Sequence, residues 1–126
     1  MRASDVLIVA VGGGVGAAAR YALGGWLADR FGPAFPWHTF VINVTGSFLL
    51  GVLLALSVER GLVPQEWRIA LGTGVLGGYT TFSTLAYESI ALAQQGSYAL
   101  GLANMFGSGA VGLLAAWLGL VVGRVI

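Results

Sequence analysis

Residues 77–89 read GGYTTFSTLAYES, a run in which Thr80, Thr81, Ser83 and Thr84 crowd hydroxyls around one aromatic ring and Glu88 adds a carboxylate. Hydroxyls exchange hydrogen bonds with an ion without a formal charge that would trap it. Phe82 extends that chemistry, because a phenyl ring has positive quadrupole character at its edge and an anion can meet it there. Its plain alternative is hydrophobic filler. Gly72, Gly74, Gly77 and Gly78 precede the hydroxyls and weaken helix propensity. A helix break is expected there, and irregular backbone at membrane depth is tolerated only where protein buries it or a wet cavity borders it. Carbonyls freed at such a break hold cations, and freed N–H groups face anions. Beyond it, Thr81, Thr84 and Glu88 stand at i, i+3 and i+7, one polar stripe on the resumed helix.

Other polar residues stand in equally apolar surroundings. Asn43, with Thr45 and Ser47 following in VINVTGSF, carries an amide that either bonds a neighbouring helix or turns its N–H groups to a ligand. Asn104 and Ser108, four apart, share a helical face among Gly101, Gly107, Gly109 and Gly112, a pattern that also fits plain close packing. An ionisable side chain at mid-helix costs about 2.5–3.5 kcal/mol on insertion scales. Arg20 either snorkels towards headgroups or makes an entrance positive for anions, since a guanidinium is always charged and weakly hydrated. Glu88 is either hydrogen-bonded inside the bundle or part of a polar path. GGGVGA, at residues 12–17, is no dinucleotide loop, which would follow a strand and open an amphipathic helix. Gly12 and Gly16 instead form a small-xxx-small pair for close helix contact.

The elements that must position these groups are membrane spans. Of 126 residues, 57% are hydrophobic and 9% charged, with a mean hydropathy of +0.87, whereas soluble domains carry roughly a quarter charged residues. Four stretches reach the length of about 20 apolar residues that a span needs: 6–27, 40–58, 69–93 and 98–125. The links ADRFGPAFPWH, ERGLVPQEW and QQGS are short and hold turn residues, so a single four-helix transmembrane domain over 1–126 is expected. Trp26, Trp37 and Trp67 fall at span ends, where indoles favour the headgroup layer. Asp5 argues against a signal peptide. With no lysine and a net charge of +1 there is no basic surface for nucleic acid, and with no cysteine no thiolate metal site. Arg2, Arg60, Arg68 and Arg124 share one side against Arg30 on the other, which favours an N-inside orientation.

GGGVGAAARY, FVINVTGSFLLG and, most specifically, GVLGGYTTFSTLAYE make the chain resemble the Fluc, or CrcB-type, fluoride ion channels over essentially its whole length. The resemblance implies an all-α integral membrane protein of four helices, the third broken mid-membrane. Two chains would form an antiparallel, dual-topology homodimer with two fluoride pores at the interface. Fluoride would leave passively across the cell (inner) membrane, with no enzyme involved: HF enters from acid, ionises in the cytoplasm and is trapped as fluoride. By position, Phe82 would offer its ring edge, with Ser83 beside it, and Asn43 its amide. Ser108 would line the pore from the fourth helix, Thr81, Thr84 and Glu88 would form the path onward, and Arg20 would make the vestibule positive. Backbone carbonyls of Gly77 and Thr80 from both chains would hold a central structural sodium ion. The chain departs from the family pattern at Leu85, where a second phenylalanine is usual, at His38, which replaces a glycine and suggests either a pH-responsive entrance or an incidental interfacial histidine, and at Asn104, where an aromatic is more typical. Leu85 leaves a heterodimer of diverged chains open. A proton-coupled small multidrug exporter would need a carboxylate deep in the first span, where this chain has Arg20.

Overall fold

The computed structural model describes Met1–Ile126, which is helical with no strand. Three helices are long and apolar enough to cross a membrane: α1 (Ala3–Phe31), α2 (Trp37–Glu59) and α5 (Tyr98–Val125). Between α2 and α5 lie α3, residues 65–79, and α4 (Phe82–Gln94), which together occupy the stretch expected as the third span. Helices α1 and α2 overrun the expected limits of 6–27 and 40–58. Hydropathy marks where apolar residues stop, whereas the backbone of α1 stops where it can reverse, at Gly32 with φ 76°, a conformation that favours glycine.

The glycine-rich stretch behaves differently from the expectation that it would break the helix. Ile69–Leu76 stays helical but widens into i→i+5 turns, and Gly77–Tyr79 is ordinary α-helix. The interruption comes later, at Thr80 (φ −83°, ψ 159°) and Thr81 (φ −151°, ψ 117°), both extended. Several of the chain's glycines instead serve close packing. A methyl on Gly12 of α1 would stand 2.8 Å from the Ala70 carbonyl oxygen of α3, one on Gly16 would collide with the Val75 carbonyl, and one on Gly78 with the Gly13 backbone. The small-xxx-small pair therefore brings two backbones together, as its spacing predicts. Helices α2 and α5 make the most extensive contact and meet in the same way, Gly51 on the Ala116 carbonyl and Gly119 on that of Phe48.

Few large side chains are buried, Leu27, Ile42, Leu53, Leu85, Leu92 and Asn104 among them, while leucines, valines and aromatics cover the outside. One end of the bundle gathers Arg2, Arg60, Arg68 and Arg124. Arg124 grips Glu59 with two bonds of 2.6 and 2.8 Å, and Arg60 donates to the Gly123 carbonyl at 3.0 Å. At the opposite end the Arg30 guanidinium lies 4.1 Å from the centre of the Trp26 ring.

Candidate functional site

The interruption at Thr80 and Thr81 is held by side chains from both flanks. Thr81 donates its backbone N–H to Asn43 Oδ1 at 2.8 Å, and Asn43 Nδ2 donates back to the Thr81 carbonyl at 3.0 Å. That amide imitates a backbone partner. Thr80 returns both its N–H and its hydroxyl to the Leu76 carbonyl, each at 3.0 Å. The Thr81 hydroxyl accepts from the Thr84 N–H at 3.3 Å, so it is the N-cap that starts α4. On the other flank Arg20 Nε donates to the Gly78 carbonyl at 3.2 Å, which places positive charge at the C-terminal, electronegative end of α3.

Three depressions lie around this point. A groove of about 470 Å³ is bordered by Asn43, Gly77, Thr80, Thr81, Phe82, Leu85 and Ser108 together with small residues of α5. Phe82 is 70% exposed beside it, Ser83 is exposed too, and Leu85 is buried. Thr81 also borders a crevice of about 380 Å³, which holds Arg20, Thr39 and Thr84. His38 belongs to that crevice and to a mouth pocket of about 400 Å³ shared with Asp29 and Glu88. Neighbouring depressions share Thr81 and His38, so the hydrogen-bonding groups follow one another from the groove to the far end of α4.

Ser108 reaches the groove from a buried chain of polar groups. Its hydroxyl donates to Asn104 Oδ1 at 3.5 Å, Asn104 Nδ2 donates to Ser89 Oγ at 3.0 Å, and Ser89 donates to the Leu85 carbonyl at 2.8 Å. Asn104 is fully buried and ties α5 to α4.

Residues 7–120 match the family described as "CrcB-like protein, Camphor Resistance (CrcB)". The chain belongs to the CrcB family. Among its relatives, proteins named "Fluoride-specific ion channel FluC" from Acidobacterium capsulatum and from Thermus thermophilus are 49% and 50% identical to it. The first match covers 94% of both chains, the second 90% of this chain and 88% of the relative. "Fluoride-specific ion channel FluC 1" from Leifsonia xyli is 52% identical over 94% of this chain and 85% of its own. With three apolar helices of crossing length, this CrcB-family chain is a multi-pass membrane protein.

Within this CrcB-family structure, Asn43, Phe82, Thr81, Ser108, Gly77 and Thr80 border one groove, with Ser83 exposed next to Phe82, and Arg20, Thr84 and Glu88 line the two neighbouring depressions. The stripe expected on the resumed helix is modified. Thr81 precedes that helix as its cap, because its hydroxyl is needed by the Thr84 N–H, and only Thr84 and Glu88 stand on helical turns. Asn43 spends one of its two amide protons on the Thr81 carbonyl, leaving one for other work. Sequence reasoning missed Thr39, buried and bordering the crevice; its spacing of four from Asn43 was the available signal. It also missed the pairing of His38 with Glu88, since nothing in one sequence puts residues fifty apart within bonding distance.

Proposed function

We propose that the chain is a passive, fluoride-selective channel that lets accumulated fluoride leave the cell down its gradient. The observation that carries this reading is the succession of hydrogen-bonding groups from Asn43 and Phe82 through Thr81 and Thr84 to His38 and Glu88. It gains weight from relatives that bear the name of fluoride-specific channels. A fluoride ion that sheds water needs replacement donors. The spare Asn43 N–H and the Ser83 and Thr84 hydroxyls supply them, Ser108 borders the groove with its own proton turned to Asn104, and the Phe82 edge adds a contact with no counter-charge to hold the ion. Arg20 raises the local anion concentration from the crevice.

The groove opens on the outside of the chain, with Phe82 and Ser83 exposed at its edge. We read its missing wall as a second, antiparallel copy of the chain, which yields two pores per dimer in the cell membrane. Residues 65–94 then cross as one broken span, the third of four, with Thr80 and Thr81 near mid-membrane. The residues there suit a sodium ion. Asn43 takes the Thr81 N–H that a continuous helix would direct to the Gly77 carbonyl, and Gly77 and Thr80 both border the groove with oxygens of the kind a hard cation prefers. Sodium held by the Gly77 and Thr80 carbonyls supplies positive charge that joins the two copies, and it is not the ion transported.

Efflux from liposomes carrying the purified protein, followed for fluoride and for chloride, tests the reading. Fluoride is expected to leave rapidly while chloride is retained. Equal rates, or no protein-dependent fluoride efflux, refute it.

A further inference from the structure

His38 and Glu88 make the one contact between ionisable side chains away from the arginine-rich end of the bundle. His38 Nε2 stands 3.1 Å from Glu88 Oε2, and the two side chains are 31% and 17% exposed. The second carboxylate oxygen, Oε1, is buried and has no hydrogen-bond partner. The Glu88 carboxylate therefore has one oxygen on His38 and one that no protein group satisfies. The pair also occupies the junction between the mouth pocket and the crevice, where His38 borders both.

The charges facing it are few. From α1, Asp29 borders the mouth pocket, and Arg20 and Tyr21 border the crevice; α2 contributes no titratable group but His38, α4 none but Glu88, and α5 none at all. With the imidazole neutral, Glu88 and Asp29 outweigh Arg20 by one negative charge. With it protonated, these groups balance. Histidine is the side chain whose charge ordinarily changes within the physiological range, and the protonated form is the one that leaves this lining without net repulsion for an anion.

We propose that His38 and Glu88 form a proton-binding site on the fluoride path, and that taking up a proton there admits fluoride. The proposal rests on the channel reading and adds a regulation to it. Outflow is then greatest in acid, the condition that drives HF into a cell. The glycine usual at the His38 position in the family would leave a neighbouring carboxylate without this partner.

His38 is the only histidine in the chain, so a ¹⁵N-histidine label reports this site alone. The experiment pairs that label with fluoride efflux from liposomes between about pH 5 and 8, after subtracting the HF leak of protein-free vesicles. Protein-dependent flux is expected to be about tenfold greater at the acid end, the lower range of electrostatic effects on ion entry. The ratio falls close to one in both His38→Gln and His38→Gly. In the unaltered protein the imidazole ¹⁵N signals change over the same pH range as the flux, and the flux ratio falls in Glu88→Gln as well. Flux that is present but flat with pH, a ratio that persists in both His38 variants or in Glu88→Gln, or a set of ¹⁵N signals that changes outside the pH range of the flux overturns the proton site and leaves the channel standing. Absence of fluoride flux at every pH overturns the channel reading itself, and this proposal with it.

Discussion

Asn43→Ala isolates the brace at the helix interruption. In the native chain the Thr81 N–H reaches Asn43 Oδ1 at 2.8 Å, and the Thr81 carbonyl receives Asn43 Nδ2 at 3.0 Å. Both groups are part-buried, and neither has a backbone partner in its place. An unsatisfied buried backbone group costs about 1–3 kcal/mol, and partial burial selects the lower end of that range, about 1–1.5 kcal/mol for each group, so losing both bonds costs about 2–3 kcal/mol. At about 1.4 kcal/mol per factor of ten, the ordered interruption becomes roughly 30- to 100-fold less favoured. Amide hydrogen exchange reads this directly: the Thr81 amide should exchange faster by that factor, and fluoride efflux from liposomes should fall at least tenfold. Asn43→Asp separates bracing from ion contact. Aspartate keeps an acceptor for the Thr81 N–H, loses the donor and adds a negative charge facing the groove. Thr81 should stay largely protected while fluoride flux collapses. Unchanged Thr81 exchange in Asn43→Ala refutes the bracing argument, and native flux in Asn43→Asp refutes a donor role towards the anion.

Three further predictions concern neighbouring parts. Phe82→Ile keeps the hydrophobic bulk but not the ring edge; fluoride flux should drop sharply while the assembled species keeps its size by gel filtration, and undiminished flux would mean the ring only packs. Gly16→Ala should destabilise the protein by about 1–3 kcal/mol in detergent, the usual cost of overpacking, because its methyl meets the Val75 carbonyl. Gly14→Ala, with nothing within 4 Å of the added methyl, should be neutral or gain up to about 1 kcal/mol, and equal melting temperatures for the two variants would contradict the α1–α3 contact. Prolonged dialysis into sodium-free medium should reduce fluoride efflux and sodium should restore it, whereas full indifference would count against carbonyl ligation at Gly77 and Thr80.

Much of the site was legible because lipid-length apolar stretches make each polar residue conspicuous. Asn43, Arg20, Glu88 and the hydroxyl run stood out against their neighbours, and small-residue spacing identified the face on which Gly12 and Gly16 meet α3. Backbone detail was less legible. Glycines signal both weak helix propensity and close approach, and Gly74 and Gly78 serve the second, so the interruption fell at the threonines, whose own side chains satisfy the backbone groups it exposes. Partners remote in sequence were not legible: Arg20 with Gly78, Asn43 with Thr81, and His38 with Glu88 arise from helix packing. Leu85, read as a lost pore ring, is a buried side chain bordering the groove beside Phe82.

The brace at Thr80 and Thr81 also bears on the order in which the chain is made. Every group that satisfies the irregular backbone from a distance, Arg20 on the Gly78 carbonyl and Asn43 on Thr81, belongs to a helix synthesised earlier, and the rest comes from the threonines themselves. Irregular backbone cannot stand unsatisfied in hydrocarbon, and synthesis delivers residues from the N-terminus onward. The interruption can therefore close its hydrogen bonds as it emerges from the ribosome, without waiting for α5. Helix α5 then arrives at a surface already set, and its own polar pair, Asn104 and Ser108, docks against Ser89, which also precedes it in the chain.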